Sequence, residues 1–311
     1  MGRNGSPPGV RNAGLRRPEP RPARLAVVGH ANVDHLLEVA ELPAADRTVP
    51  VVRHRVRFGG TAANLAVAAR RLGLATSLIT RIGADYPPAF LRSLRAVGVD
   101  VAGVERVRGV PTPACYIALD GKGGQATLID QGPMATSGSV PVAVVRRAGW
   151  VHLSTGAPEY LLAIRAEAAA HRVPVSVDPA QEIHYRWNAA SFAALLDGAE
   201  ILFGNRAEIA AAQRLAGVAS VSGLLERVPL VIETRGARGV RAFDRTGRTE
   251  VPAVRLGPVR DPTGAGDAFR AGFYAAWFAG RDLEGTLRAG SRAAAAWLRA
   301  RRRPSGRDGL S

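Results

Sequence analysis

The 311-residue sequence predicts an α/β fold: a mostly parallel central sheet covered by helices on both faces, with a small antiparallel β appendage. Three observations carry that expectation. Apolar runs of strand length recur along the chain, as buried parallel strands require. Most are followed by a stretch of helical length, and such alternation over so long a span implies a parallel, two-sided sheet. Two stretches break the alternation with strand-like segments that have no helix between them.

In chain order, Leu25-Ala26-Val27-Val28 is a continuous apolar run that ends at Gly29, as a buried strand would. Residues 62–72 read as a helix with Thr61 as its N-cap. A strand at 77–79 and a helix at 88–97 follow. The alternation returns with a strand at 150–153, a helix at 160–171, a strand at 175–178 and a helix at 191–196. Strands at 201–203 and 230–234 complete it. The two exceptions are about 35–58 and 113–131, and the second holds the hairpin turn Asp120-Gly121-Lys122-Gly123-Gly124. Residues 238–254 are a further β stretch, turned at Asp244-Arg245-Thr246-Gly247. The expected division is an Arg/Pro-rich tail over 1–23, one domain over 24–304 and a short tail over 305–311.

Composition narrows the function classes. With 47% hydrophobic residues the chain can build one large α/β domain or two small ones. Its single cysteine, Cys115, forbids an internal disulfide, so a reducing cytoplasm is expected; set in a strand-like run, Cys115 reads as packed rather than reactive. The net charge of +16 is concentrated at the ends, since residues 1–24 and 299–311 supply nine of the charges. No aromatic-rich or recognition-helix pattern accompanies them, so no specific nucleic-acid partner is expected, and the Arg-rich termini read as flexible. Lys122 is the only lysine, and Gly121-Lys122-Gly123-Gly124 lacks the Ser/Thr that a Walker-type phosphate loop needs after its lysine. Schiff-base chemistry would have to use the same hairpin-turn lysine. The head has no apolar core of a secretory signal. Its Met1-Gly2-Arg3-Asn4-Gly5-Ser6 fits a myristoylation pattern short enough to arise by chance. No apolar run approaches the roughly 20 residues of a spanning helix, so no membrane partner is expected.

The most informative stretch is Asp261-Pro262-Thr263-Gly264-Ala265-Gly266-Asp267-Ala268-Phe269, which leads into an apolar run of helical character. First-turn amides of a helix lack internal acceptors, and the dipole makes that end mildly positive. Gly264, Ala265 and Gly266 would let a phosphate approach those amides closely. Asp267 would repel that phosphate unless it had chemical work to do, and removing a proton from an attacking hydroxyl is such work. The histidines show no zinc spacing, and no Gly-x-Ser-x-Gly elbow is present. A dinucleotide fingerprint belongs after an early strand, whereas these glycines come late.

This segment resembles the second signature of the ribokinase-like (PfkB) carbohydrate and nucleoside kinases. Phe58-Gly59-Gly60-Thr61-Ala62-Ala63-Asn64-Leu65-Ala66, running into Ala69-Arg70-Arg71-Leu72-Gly73, resembles the first. The likeness covers about 24–304, in the family's order and spacing. It implies a three-layer α/β/α fold in which the two β exceptions form a lid over the substrate, and a reaction in which MgATP phosphorylates an alcohol. Asp267 would then be the base and the amides of 264–266 the anion hole.

The resemblance also supplies roles that the residues alone leave open. Asn32 and Asp34 lie just past the first strand, and Asp34 reads either as a turn residue or as a carboxylate accepting two hydroxyls. The family places the sugar there, with Gly59, Gly60 and Asn64 completing the site. Asn205-Arg206-Ala207-Glu208 reads as a helix cap; the family has Asn-x-x-Glu at this place, with the Glu, here Glu208, organising magnesium through water beside ATP. Thr234-Arg235-Gly236-Ala237-Arg238-Gly239 is an ordinary glycine turn on its face. In the family Thr234, Gly236 and Gly239 would meet ATP, and Arg235 or Arg238 would add charge. His30 and His35 flank the sugar site and read as packed or solvated. Asp261 is the expected ligand for a potassium ion, although Arg301-Arg302-Arg303-Pro304 stands where small residues usually complete that site.

Within the family the chain most resembles the archaeal-type nucleoside kinases. That likeness extends to Val151-His152-Leu153-Ser154-Thr155-Gly156-Ala157-Pro158, to Val177-Asp178-Pro179-Ala180-Gln181-Glu182 and to Phe269-Arg270-Ala271-Gly272-Phe273. The expected activity is phosphorylation of a nucleoside's primary 5′ hydroxyl. A sugar kinase of ribokinase or fructokinase type is the alternative, and a nucleotide-binding regulator without turnover is the alternative of another class. Potassium and a homodimer are left open.

Overall fold

The computed structural model of the protein describes residues 24–257, 259 and 262–302. The tails expected at 1–23 and 305–311 lie outside the described residues. The strands are β1 (Leu25–Val28), β2 (Asn32–Val39), β3 (Val51–Gly59), β4 (Thr76–Gly83), β5 (Asp100–Val107), β6 (Ala114–Asp120), β7 (Gln125–Asp130), β8 (Trp150–Leu153), β9 (Val175–Val177), β10 (Ile201–Asn205), β11 (Leu230–Thr234), β12 (Val240–Asp244) and β13 (Gly247–Val251). The helices are α1 (Thr61–Arg71), α2 (Pro88–Ala96), α3 (Val142–Arg146), α4 (Pro158–Ala170), α5 (Ala189–Leu196), α6 (Arg206–Ala216), α7 (Val221–Leu224), α8 (Ala265–Phe278) and α9 (Leu283–Arg302).

The large sheet runs β13-β12-β11-β10-β9-β8-β1-β4-β5. It is parallel throughout except for the β11-β12-β13 meander at one edge. Central strands show why it needs helices on both faces. Leu25 and Val27 of β1 enter one buried cluster with Leu65, Phe273 and Trp277. Ala26 and Val28 enter the other with Val151, Ile164 and Leu195. Alternate residues of one strand thus point into two cores, and four consecutive apolar residues are what that position demands. After β1 the chain builds outward through β4 and β5, then returns to place β8 on the other side of β1. A crevice therefore opens beyond the carboxyl ends of β1 and β8, the usual ligand position in such sheets.

The second sheet, ordered β3-β2-β6-β7, is the small lid. The antiparallel expectation holds for β2-β3 and β6-β7, but β2 and β6 pair parallel. Both lid segments leave the large sheet in the same direction, and side-by-side pairing of their first strands then has to be parallel. Two further differences concern α1 and the chain ends of the pattern. Thr61 does not cap α1: Gly60 stands at the N-cap with φ 98°, and no side chain caps the helix. The Thr61 hydroxyl is instead held by Thr155 at 2.8 Å and Ser154 at 3.2 Å. β5 and α9 were not anticipated; β5 mixes Asp100, Glu105 and Arg106 with apolar residues and a glycine, and α9 is rich in alanine and arginine.

Candidate active site

The expected site residues fall along one edge of the large sheet and the underside of the lid. Asp34 lies on β2 in the lid and is buried. Gly59 ends β3, and a Cβ there would overlap the Asp34 carboxylate, so the glycine is what allows that carboxylate its place. Asp34, Arg57, Phe58, Asn64, Ile117 and Thr263 line one cleft, which joins the lid, α1 and the anion loop. Asn32 is buried nearby, its amide donating to Cys115 Sγ at 3.2 Å. Burial pushes the Cys115 thiol up to about 12, so it stays protonated and unreactive.

The anion loop opens α8. Gly264 is its N-cap at φ 79°, in the left-handed region. A side chain there would also meet the Trp297 ring, whose Nε1 donates to Thr263 O at 2.9 Å. The last helix therefore holds the loop from behind. The Ala265 amide donates to Pro262 O at 3.1 Å, closing a turn. Asp267 lies in the first turn, and the Asn64 side-chain amide donates to its Oδ2 at 3.1 Å. The two signatures, some 200 residues apart, thus meet through one hydrogen bond.

The residues expected around ATP sit at the neighbouring strand ends. Asn205 and Thr234 face each other in the β10-β11 register. Asn205 caps α6: its side chain accepts from Ala207 N and Glu208 N, while Glu208 Oε2 accepts from Asn205 N at 2.6 Å. The capping geometry is complete, and Glu208 is also buried and electrostatically coupled to Asp178 and Arg270. Gly236 opens a tight helical turn after β11 and Gly239 follows its end. The charge expected from Arg235 is already engaged by Glu233 at 3.5 Å and Glu250 at 2.6 Å. Asp261, the expected potassium ligand, lies outside the described residues.

Sequence reasoning gave no role to two residues at the centre of this cluster. Asp178 follows β9 and is buried, and it forms an ion pair with the buried Arg270. Arg270 also approaches Asp267 Oδ1 at 3.8 Å. Burial raises the Asp178 carboxyl above its usual range, and the charges of Glu208 and Asp267 add to that, against the pull of Arg270. Burial alone would lower Arg270, but the surrounding acids keep it firmly charged. The available signal was an arginine three residues after Asp267 in an otherwise apolar helix, since a buried charge must have a partner.

The two histidines differ. His35 is partly exposed and stacks on Tyr116 and His54 across the lid. His30 is buried against Thr155 Oγ1 at 2.7 Å, and burial lowers it to about 4, so it is neutral near pH 7. Glu182 lies 3.9 Å away, raised by burial to about 7 despite accepting from Gly156 N at 2.6 Å.

Comparison with known proteins agrees with this fold. The sequence profile of the pfkB family carbohydrate kinases matches residues 22–302. The nucleoside kinase of Methanocaldococcus jannaschii is 29% identical over 262 residues, covering 84% of this chain and 85% of its own. The ATP-dependent ribose-1-phosphate kinase of Halopiger xanaduensis is 33% identical over 267 residues, covering 85% and 88%. The crystal structure of the Methanocaldococcus jannaschii nucleoside kinase superposes with TM-score 0.79 at 27% identity, covering 89% of this chain and 92% of the other. Among the described residues no helix is long and apolar enough to cross a membrane. Both signatures resembled from sequence thus lie at one sheet edge of a ribokinase fold, and the chain belongs to the pfkB family of carbohydrate kinases, enzymes that phosphorylate a hydroxyl group.

Proposed function

We propose that the protein is an ATP-dependent nucleoside kinase acting on the primary 5′ hydroxyl. The observation that carries this reading is the Asn64–Asp267 hydrogen bond beside the cleft shared by Asp34 and Thr263. It puts the expected sugar ligands and the expected base within one small volume. Asp34 would accept two ribose hydroxyls, which suits the two oxygens of a carboxylate. Asn64 would orient both the sugar and Asp267. Asp267 takes the proton of the 5′ hydroxyl as its oxygen bonds the γ-phosphorus and the bond from that phosphorus to the ADP oxygen breaks. The amides of Gly264 and Gly266, at the positive end of α8, receive the charge that develops on the transferring group, whereas the Ala265 amide, expected to join them, is taken up by Pro262 O.

Magnesium fits the donors present. Among the described residues no cluster of three or more His, Cys, Asp or Glu could cage a metal ion. Mg²⁺ keeps its waters and is usually held by substrate phosphates with one or two carboxylates, so a sparse set is appropriate. Glu208, reaching through water, and the ATP phosphates would hold it, and it would neutralise phosphate charge. Glu208→Gln keeps the cap's shape and removes one charge. The expected outcome is a higher magnesium requirement, read by titrating Mg²⁺ at fixed ATP. Unchanged activity at limiting magnesium would leave Glu208 as a helix cap only.

A second reading is a sugar or sugar-phosphate acceptor. The Halopiger xanaduensis relative favours it, as does Arg57 in the same cleft as Asp34. The deciding experiment is MgATP consumption against inosine, guanosine, adenosine, cytidine, ribose, fructose and ribose 1-phosphate. A clear preference for any nucleoside is expected. No turnover with any member would sink both readings.

A further inference from the structure

We propose that Arg270 is a positioning residue for phosphoryl transfer: anchored on Asp178, its guanidinium orients the Asp267 carboxylate. The inference rests on the reading of Asp267 as the base.

The geometry around Asp267 is two-sided. Its Oδ2 accepts from Asn64 at 3.1 Å, and its Oδ1 faces an Arg270 terminal nitrogen at 3.8 Å. One oxygen is thus held by a hydrogen bond from α1 and the other faces a fixed positive charge on α8, which together favour one plane for the carboxylate. Arg270 is itself fixed. Its other terminal nitrogen pairs with Asp178 beyond β9, and its guanidinium lies 5.8 Å from the centre of the Phe203 ring on β10. The loop is shaped to admit it, because a Cβ on Gly266 would sit 2.8 Å from the Arg270 nitrogen that faces Asp267. Gly266 thus serves the guanidinium below as well as any phosphate above. α8 carries this device on one stripe, with Asp267, Arg270 and Tyr274 at helical spacing on a helix that otherwise buries apolar residues. A buried ion pair adds little net stability over well-packed apolar residues. Asp178 alone would neutralise the arginine, so stability does not account for the approach to Asp267. Displacing a reacting group by about 1 Å can cost about 10²-fold in rate, and holding Asp267 against that loss is the role assigned here.

The test uses Arg270→Ala, checked for folding by circular dichroism, and the best acceptor of the panel. The expected result is a kcat lower by about 10²-fold with an acceptor KM within about threefold of wild type. Millimolar guanidinium chloride should restore at least about tenfold of that kcat, and equimolar urea should restore none, because the vacated site accepts the cation. A merely structural arginine would give neither the split nor the rescue. Adding Arg270→Ala to Asp267→Asn should cause little further loss, since Arg270 acts through Asp267. Asp178→Asn, which keeps its shape, should lower kcat in the same direction without raising KM, and it decides the matter if Arg270→Ala does not fold. Wild-type kcat in a folded Arg270→Ala or, failing that, in Asp178→Asn would overturn the inference; so would absent rescue, or losses that multiply with Asp267→Asn. Full activity of Asp267→Asn would instead sink the base assignment. An inactive Asp267→Asn beside a wild-type-like Arg270→Ala would sink the Arg270 role alone.

Discussion

Replacing Asp267 with asparagine is expected to lower turnover about 10²–10⁴-fold, the usual loss when a positioned general base is removed. The amide keeps the size of the carboxylate and an oxygen that can accept from Asn64, so the bridge between the two signatures survives. What it loses is the capacity to take the proton and the charge that Arg270 faces. Fold and ATP binding should therefore stay near wild type, by circular dichroism and by calorimetric titration with ATP. The loss should appear in kcat and kcat/KM alike, which marks an interaction made in the transition state. Turnover within a factor of about three of wild type would remove Asp267 from the base role.

The anion loop was legible in the sequence because its chemistry is local. Glycines at a helix start, followed by an acid, make a pattern that few other demands explain, and Gly264 indeed begins α8 in the left-handed region. The strand ends were legible for a similar reason, since a four-residue apolar run closed by Gly29 suits a strand buried on both faces better than a helix. Long-range partners were not. Asp178 and Arg270 are 92 positions apart and meet because β9 and α8 lie on the same side of the crevice. Alone, Asp178 reads as a turn acid, and Arg270 signals that it needs a partner without saying which. Thr61 misled for the converse reason. Its local context, ahead of a helix, favours an N-cap, but Thr155 at the end of β8 offered its hydroxyl a better-placed partner. β5 was missed because Asp100–Val107 at the sheet edge needs only one apolar side, and its charged residues hid the strand.

Asp34→Ala separates the sugar from the rest of the acceptor. Asp34 is buried in the lid, and its carboxylate fills the space that Gly59 leaves open. If it accepts two ribose hydroxyls, its removal forfeits two hydrogen bonds to a charged group, each worth about 1.5–3 kcal/mol. That corresponds to a fall in kcat/KM of roughly 10²-fold or more. Inosine and ribose offer the same hydroxyls to this carboxylate, so both should fall by a similar factor. Their ratio should therefore survive the substitution. In the wild type that ratio should strongly favour the nucleoside, whose base would lie against the lid around Tyr116 and Ile129, both partly exposed here. Burial of that apolar surface is worth roughly 25 cal/mol per Å², a gain ribose cannot make. The measurement is kcat/KM for inosine, cytidine, ribose and fructose with wild type and variant. A ratio that collapses in Asp34→Ala would mean that Asp34 reads the base rather than the sugar. A wild-type preference for either free sugar would end the nucleoside assignment and leave the kinase standing.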